Sequence, residues 1–347
     1  MAEGKLQFRV GQVDTTVLFM GRAEITSEPG DRTLWVCDSH TRPLFPELEG
    51  DAHVVTLEPG EERKSWESVD RILRFAIEAG LARDATFVAL GGGVLCDLTA
   101  FAASIFMRGC RLVLVPTTLL AMVDASLGGK KGIDNAGYKN MVGTFHPAEE
   151  IRISTELLRT LPDREFASGL AEVIKQALLQ RSDLLSTLRE RRDAILSREP
   201  ALLADVVSQS LGVKGRLVEA DFRESGVRAH LNLGHTFGHA LEAVTGFSEW
   251  THGEAVAWGI DKAMRTGRLL SLTDPAYEEE ARALLALYGF RLGTEPGLVE
   301  PLLQAMRFDK KKRAGRVRFV LQRGWGDTLL TEVDDEVIRA ALVESVR

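Results

Sequence analysis

Apolar and polar positions follow two different patterns along the chain. In the first half, short runs rich in β-branched residues predict strands, and an amphipathic stretch from about Lys64 to Ala79 predicts a helix. The strand runs are TLWVC at 33–37, HVVTL at 53–57, TFVAL at 86–90 and RLVLV at 111–115. Strands that alternate with helices are typical of a parallel sheet flanked by helices, so an α/β fold is predicted for this half.

After about residue 155 the apolar spacing becomes helical. The runs EFASGLAEVIKQALL, DLLSTLRERRDAILS and ALLADVVSQSLGVKGRLVEA place apolar residues three and four apart, and only 316–322 looks like a strand. We therefore predict an α/β domain over residues 1–155 and an all-α domain over residues 156–347. A cleft between two such domains is a favoured place for a cofactor and a substrate.

Composition narrows the class of protein. The 347 residues are 45% hydrophobic and carry a net charge of −7, which argues against general affinity for nucleic acid. No apolar run reaches the roughly 18 residues of a membrane span, and the first residues lack the apolar stretch of a signal peptide, so we expect a cytoplasmic protein. Cys37, Cys96 and Cys110 contain no CxxC pair, and we expect them to be reduced thiols.

A glycine turn in the first half indicates phosphate binding. Gly91–Gly93 follows the strand at 86–90 directly and precedes the helical pattern VLCDLTAFAASIFM. Glycines at such a turn let the backbone approach a pyrophosphate, which the amino end of the helix then stabilises. The order differs from GxGxxG, because the acid at the end of a strand, Asp38, precedes the glycines. A tight turn without a ligand is the alternative.

A second glycine-rich segment, LGGKKGIDNAGYKN at 127–140, is predicted to be a flexible loop. It carries Lys130, Lys131 and Lys139. By itself it could be a solvated loop, but two glycine-rich segments in one α/β domain favour anion binding.

Four of the seven histidines lie close together in the second half. Read as one helix, the segment places Arg228, Asn232, His235 and His239 at offsets of 0, 4, 7 and 11 residues. These offsets fall within roughly 60° of one another at ~100° per residue, so the four side chains form one polar stripe. With His252 at the start of the next apolar run, the stripe favours a metal or catalytic site over a solvated helix face.

Glu172 and Lys175 lie three residues apart in the helical run LAEVIKQALL and share one face. They could form a surface salt bridge. Alternatively, Glu172 is a carboxylate that could complete a zinc site of one glutamate and two histidines with an open fourth position. The spacing alone favours His235 and His239 as those histidines, because an i,i+4 pair can chelate one ion.

Long motifs in this chain resemble the 3-dehydroquinate synthase family. In chain order they are GGGVLCDLTAF, MRG, VPTTLLAMVDASLGGK, GYKNMVGTFH, LRTLPDREFASGLAEVIK, RAHLNLGHTFGHALEA and HGEAVA. The likeness as a whole extends over about residues 59 to 320. The resemblance implies an NAD-binding α/β domain, an all-helical metal-binding domain, zinc or cobalt as the metal, and a homodimer.

The resemblance also implies roles for individual residues. It makes Glu172, His235 and His252 the metal ligands, and His239 a proton-transfer or phosphate-binding group that faces the substrate. The implied NAD-binding positions are Asp38, Glu61, Lys64, Gly92, Gly93, Asp97, Thr117, Thr118, Lys130, Lys139 and Thr160. The implied substrate and catalytic positions are Asp124, Lys130, Asn140, Lys175, Lys214, Arg228, Asn232, one of Lys310 and Lys311, and Arg108 from across a dimer interface.

In the family, 3-deoxy-D-arabino-heptulosonate 7-phosphate becomes 3-dehydroquinate and phosphate on the route to aromatic compounds. NAD transiently oxidises the C5 alcohol, phosphate is eliminated, the hydride returns, and an intramolecular aldol step closes the ring. The metal polarises the C5 oxygen, and cationic side chains offset the charges of the phosphorylated sugar acid. NAD is expected to end each turnover unchanged.

Three positions depart from the family pattern. Cys96 stands where GGGVIGD has glycine, Lys131 replaces the threonine of GGKTG, and Asp134 replaces an asparagine. We expect Lys131 and Asp134 to pair at the surface of the loop, because they lie three residues apart in a glycine-rich turn. If Lys131 instead points into the site, a sister cyclase that acts on another sugar phosphate is the alternative.

Two other classes of protein remain as alternatives. A metal-dependent polyol dehydrogenase could share an NAD turn and a metal helix, but it needs no cluster of phosphate-binding lysines and would consume NAD. A non-catalytic NAD-sensing protein or scaffold could lose Lys175, His239 or the metal ligands, whereas all of them are present.

Overall fold

The computed structural model describes residues 4–26, 30–48, 50, 53–180, 183–246, 249–293, 295–312 and 318–343, with the backbone alone at 308–312. These residues form two compact units. The first is Met1–Leu161 with Arg198–Phe222, and the second is Pro162–Ser197 with Arg223–Arg347. Residues 198–222 thus pack with the first unit although they follow residue 155, and the functional division into 1–155 and 156–347 stays a prediction.

The strands and helices are as follows. The strands are β1 (Gly4–Val10), β2 (Val13–Phe19), β3 (Thr33–Asp38), β4 (Val54–Leu57), β5 (Thr86–Gly91), β6 (Arg111–Pro116), β7 (Lys130–Asn135), β8 (Tyr138–Phe145), β9 (Glu150–Ile153), β10 (Arg318–Gly324) and β11 (Asp327–Glu332). The helices are α1 (Trp66–Glu78), α2 (Gly93–Ile105), α3 (Asp163–Leu179), α4 (Asp183–Glu190), α5 (Arg192–Leu196), α6 (Pro200–Ala220), α7 (His235–Val244), α8 (His252–Leu269), α9 (Pro275–Leu287), α10 (Val299–Lys312) and α11 (Asp335–Val343).

The first unit is built on a seven-stranded sheet in the order β1-β2-β9-β6-β5-β3-β4. Its strands are parallel except for the β1–β2 hairpin. The apolar runs of β3, β5 and β6 are buried on both faces, as the interior strands of a parallel sheet require. The four predicted strands and the α/β class are therefore confirmed, and β1, β2 and β9 are additional.

The glycine-rich segment at 127–140 is not a flexible loop. Most of it lies in the β7–β8 hairpin, whose register pairs Lys130 with Phe145 and Ile133 with Val142. Neighbouring residues of a strand point to opposite faces, so Lys130 is exposed whereas Lys131 is buried. The prediction of a loop was wrong because the glycines hid the short strand alternation.

The second unit is helical, as predicted, and its chain passes very close to itself at glycines. The amide of Gly253 in α8 donates to Ser168 Oγ of α3 at 3.0 Å, and a Cβ at Gly253 would collide with the Ser168 backbone. The strand expected at 316–322 is present as β10, and it pairs with β11, which the sequence prediction did not include. Among the described residues, none of the helices has the length and apolarity needed to cross a membrane.

The polar stripe does not lie on one helix, so this prediction was wrong. Residues Val227–Asn232 form a 3-10 helix, and α7 begins only at His235. Between them Gly234 adopts φ 81°, and a Cβ at this position would lie 2.7 Å from the carbonyl oxygen of Val256. The chain turns here because only glycine combines this backbone angle with this close approach.

We predict that Gly234→Ala is much more destabilising than Gly289→Ala. Gly289 has a similar φ of 79°, but nothing lies within 4 Å of an added Cβ. The left-handed backbone should cost each variant about 1–2 kcal/mol, and overpacking should cost Gly234→Ala about 1–3 kcal/mol more. Urea unfolding measures both values. Equal losses would show that α8 moves aside without cost.

Candidate functional site

Glu172 of α3 is the centre of a group of polar side chains in the second unit. Its carboxylate is fully buried, and it pairs with the buried Lys175 one turn later. The Nε2 atoms of His235 in α7 and His252 in α8 each lie 3.8 Å from Glu172 Oε1. The structure therefore brings together the three ligands that the family resemblance implies.

The other nitrogen of each imidazole faces an oxygen. His235 Nδ1 lies 3.3 Å from the carbonyl oxygen of Leu233, and His252 Nδ1 lies 3.5 Å from Glu242 Oε2. An oxygen behind the ring favours a proton on Nδ1 and leaves the Nε2 lone pair for a ligand. Both Nε2 lone pairs are therefore available on the side of Glu172.

This donor set fits a divalent metal. Neither oxygen of Glu172 accepts a well-aligned hydrogen bond from any residue that the structure describes, although the carboxylate is buried. Zinc bonds of about 2.1 Å at a tetrahedral angle place two ligand atoms about 3.4 Å apart. The observed 3.8 Å is close to this separation, and one carboxylate with two imidazoles leaves a fourth position open.

His252 also belongs to a second group that could hold an ion, together with His239 and Glu242. This group would use the other side of the His252 ring, where Glu242 lies. In this second group His239 is exposed, although Glu242 is buried as Glu172 is. The first group is the better candidate, because its carboxylate is completely buried and lies 3.8 Å from the Nε2 atoms of two imidazoles.

The pKa of His252 is raised above its ordinary value. Burial of the ring would by itself lower the pKa, but the hydrogen bond and charge of Glu242, together with the charge of Glu172, outweigh it. In the metal-free protein these carboxylates stabilise the charged form of His252 more than that of an ordinary histidine, and a metal would have to displace this proton to reach the Nε2 lone pair.

Glu224 links two further residues of the former stripe. Its Oε1 accepts a hydrogen bond from Asn232 Nδ2 at 2.6 Å, and its Oε2 lies 4.0 Å from Nε of the buried Arg228. Arg228 and Asn232 belong to the polar stripe predicted from the sequence, whereas Glu224 and Glu242 were not predicted. Glu242 could have been found, since it follows His239 by three residues and shares its face of α7.

In the first unit, most residues with an implied cofactor role follow the carboxyl ends of parallel strands. Asp38 ends β3, the glycine turn ends β5, and Thr117 follows β6. The remaining members of this set are Glu61 and Lys64 after β4, Thr118 after β6, and Thr160 after β9. Carboxyl ends of parallel strands meet at one edge of the sheet, which is where doubly wound sheets bind ligands.

Asp38 is held in place by backbone and side-chain donors. Its Oδ1 accepts from the amides of His40 and Thr41 at 3.0 and 2.8 Å and from Thr41 Oγ1 at 3.0 Å. The helix α2 begins at Gly93, directly after the turn, so its free amide groups also face this edge.

Lys131 does not pair with Asp134, so this expectation was wrong. Its side chain is fully buried, and its Nζ donates to the carbonyl oxygen of Ala125 at 2.8 Å and lies 3.3 Å from Asp97 Oδ1. Asp134 Oδ1 instead accepts from the amide of Asn140 at 2.8 Å. The strand alternation of β7 turns Lys131 inward.

Other implied residues of the first unit also form pairs. Lys214 of α6 binds both the carboxylate of Asp124, at 2.7 Å, and its carbonyl oxygen. Lys64 Nζ lies 2.8 Å from Asp97 Oδ2 and donates to Asn140 Oδ1 at 2.6 Å. Burial lowers the pKa of Lys64, but Asp97 and Glu61 outweigh burial and raise it.

One implied residue of the described part, Arg108, is not brought to these groups. Arg108 lies in the turn between α2 and β6, at the amino end of β6 and thus at the opposite edge of the sheet. Its φ of 69° follows a φ of 47° at Met107. Lys310 and Lys311 lie on α10, and their side chains are outside the described residues.

The sequence of this chain matches known proteins over most of its length. Residues 54–168 match the N-terminal domain model of 3-dehydroquinate synthase, and residues 169–312 match the C-terminal model. The chain is also 42% identical over 320 residues to a 3-dehydroquinate synthase of Acidithiobacillus ferrooxidans, covering 90% of this chain and 87% of that one. This chain belongs to the 3-dehydroquinate synthase family.

Solved structures of sugar-phosphate cyclases share its fold. A 2-epi-5-epi-valiolone synthase from Streptomyces hygroscopicus subsp. jinggangensis 5008, with NAD+ and Zn2+ bound, has a TM-score of 0.87 at 27% identity and covers 96% of this chain and 97% of its own. A 2-deoxy-scyllo-inosose synthase with carbaglucose-6-phosphate, NAD+ and Co2+ also has a TM-score of 0.87, at 24% identity, with 99% and 100% covered. At 24% identity, the likeness to the 2-deoxy-scyllo-inosose synthase shows only that the fold is shared.

We predict that Glu242→Gln weakens metal binding. The substitution keeps the shape of the side chain but removes the charge behind His252, so the dissociation constant for Zn2+ should rise about 10- to 100-fold. Competition with a chelator measures it, and Glu165→Gln, at an exposed position of α3, is the matched control. An unchanged constant in Glu242→Gln would show that the carboxylate does not orient the ligand.

Metal affinity should depend on pH through His252. A metal ligand must be deprotonated, so the affinity should fall by up to about tenfold per unit as the pH drops through the raised pKa of His252, starting above its ordinary value of about 6.5. The folding stability of the metal-free protein should depend on pH in the opposite direction. The raised pKa of His252 stabilises the fold at low pH, and this contribution is lost as the pH rises through that pKa.

The same chelator competition across this range measures the effect. Glu242→Gln should move the loss of affinity to lower pH, because Glu242 holds the pKa of His252 up. An affinity that stays constant as the pH falls below about 6 would mean that His252 is not a ligand.

Proposed function

We propose that this chain converts 3-deoxy-D-arabino-heptulosonate 7-phosphate into 3-dehydroquinate and phosphate, with NAD and a divalent metal, zinc or cobalt. The observation that carries the proposal is the buried Glu172 carboxylate facing two imidazole Nε2 atoms in a member of this family. The reaction comprises transient oxidation, elimination of phosphate, reduction and an intramolecular aldol closure.

Glu172, His235 and His252 would hold the metal, which supplies a Lewis acid for a substrate oxygen. NAD would bind along the carboxyl edge of the parallel strands, and it supplies a hydride acceptor that returns the hydride. The proposed contacts to NAD are Asp38, Glu61, Lys64, Gly92, Gly93, Asp97, Thr117, Thr118, Lys130, Lys139 and Thr160.

The cationic side chains recognise an acidic substrate. Lys130 is exposed at the start of β7, whereas Lys175, Lys214 and Arg228 are buried beside the carboxylates of Glu172, Asp124 and Glu224. Charge-assisted hydrogen bonds from such groups favour a carboxylate and a phosphate. The further substrate contacts in the proposal are Asp124, Asn140, Asn232 and one of Lys310 and Lys311.

His239 is proposed to move a proton or to bind phosphate. It is exposed one turn beyond His235 on α7, with 5.4 Å between the two ring centres. An accessible imidazole can exchange a proton near neutral pH, whereas a ligand needs its lone pair for the metal. We therefore leave His239 out of the ligand set.

We propose a homodimer in the cytoplasm, without nucleic acid or membrane as a partner. Arg108 lies at the sheet edge opposite to Asp38 and Gly93. A second copy could bring this arginine to the substrate where its own chain does not.

The decisive experiment follows phosphate release from the heptulosonate phosphate with NAD far below the substrate concentration. Many turnovers should occur without accumulation of reduced nicotinamide, and the product should be 3-dehydroquinate. One NADH per substrate consumed would make the chain a dehydrogenase instead. A different carbocycle, from another sugar phosphate, would make it a sister cyclase.

Two variants of the same assay separate the metal site from the proton-transfer group. Glu172→Gln should lose both bound metal and turnover, because it removes a ligand charge. His239→Ala should keep the metal and lose turnover by about 10²- to 10⁴-fold, the usual contribution of a general acid or base. Loss of metal from His239→Ala, measured by elemental analysis, would favour the second ligand group instead.

A further inference from the structure

Lys131 has surroundings that neither the resemblance nor the reaction explains. Its side chain is fully buried, whereas Asp97 beside it remains 17% exposed. The two oxygens of Asp97 each face one ammonium: Oδ1 lies 3.3 Å from Lys131, and Oδ2 lies 2.8 Å from Lys64. Asp97 is thus held from two sides.

This arrangement is poorly explained as a device for stability. Burying an ammonium is costly, and apolar residues of similar volume usually stabilise a core as well as a buried ion pair does. The Lys64–Asp97 pair already balances its own charges, so Lys131 adds a further positive charge. The neighbouring Cys96 does not cancel it, because burial raises the pKa of its thiol to about 12 and keeps it neutral.

Asp97 still has acceptor capacity. Each carboxylate oxygen can accept two hydrogen bonds, and the two ammonium groups engage one position on each. Asp97 lies in the first turns of α2, four residues after Gly93 of the glycine turn where a dinucleotide would bind. A carboxylate in a fixed orientation is suited to accept from the hydroxyl groups of a ribose.

We propose that Lys131 is a positioning residue of the cofactor site, which acts on NAD through Asp97. Lys131 anchors Asp97 Oδ1 to β7 and to the carbonyl oxygen of Ala125, and Lys64 anchors Oδ2. With both oxygens held, the carboxylate is ready for the cofactor before it binds. The inference rests on the proposed function, since it requires that NAD binds at this edge of the sheet.

The test is a double-mutant cycle on NAD+ binding, measured by calorimetry on the complete chain. Lys131→Met should raise the dissociation constant of NAD+ about tenfold, as expected for the loss of a hydrogen bond to a charged group. In an Asp97→Asn background the same change should have less than about a twofold effect, because the group on which Lys131 acts has lost its charge. Lys5→Met, at an exposed position of β1, should leave the constant unchanged.

Lys131→Thr repeats the test with the family's residue if the methionine variant does not fold. A merely structural lysine would lower the urea midpoint of the ligand-free protein and leave the NAD+ constant unchanged, which would overturn the inference. An equal loss of affinity with and without the Asp97 charge would also overturn it, because Lys131 would then act by its own charge. If the folded wild-type chain does not bind NAD+, the proposed function itself fails.

Discussion

The burial of one carboxylate governs the second unit. Glu172 has no access to water, so its charge must be balanced by groups that the fold brings to it. Helix α3 supplies Lys175, α7 supplies His235 and α8 supplies His252. These helices can converge because their contacts are made at glycines, where a methyl group would collide with a neighbouring backbone. The close packing of these helices at glycines is therefore what brings the three candidate ligands together.

The first unit depends on a different constraint, the common direction of its strands. Parallel strands place all their carboxyl ends at one edge, so residues far apart in sequence meet there without any local signal. Asp38 and Thr117 lie at this edge on either side of the glycine turn, which leads into the amino end of α2. The turn between α2 and β6 must then lie at the other edge, which separates Arg108 from its proposed partners.

Sequence patterns predict best those elements that are surrounded by apolar residues on every side. The strands β3, β5 and β6 are apolar on both faces, so their sequences predict strands directly. The sequence of β7 predicts a loop instead, because the glycines in and around it mask its alternation. The prediction of one continuous polar stripe was wrong because the chain turns at Gly234. The close approach of α8 at this glycine is a tertiary contact that the local sequence pattern does not contain. Motifs found Glu172 and the histidines, but Glu242 and Glu224 were missed because their importance lies in contacts with other side chains.

Buried lysines in each of the two units show how a cationic group can be held in place by the protein alone. Lys175, Lys214 and the Lys64–Lys131 couple each lie against a carboxylate, namely Glu172, Asp124 and Asp97. An isolated buried ammonium tends to lose its proton, so an acidic partner preserves the charge that an anionic ligand needs. The same pairing weakens the attraction between each lysine and an anionic ligand, because the ammonium must share its hydrogen bonds between the carboxylate partner and the ligand. If the proposed substrate binds at such pairs, a chain with net charge −7 needs no strongly basic surface to recognise its phosphate and carboxylate.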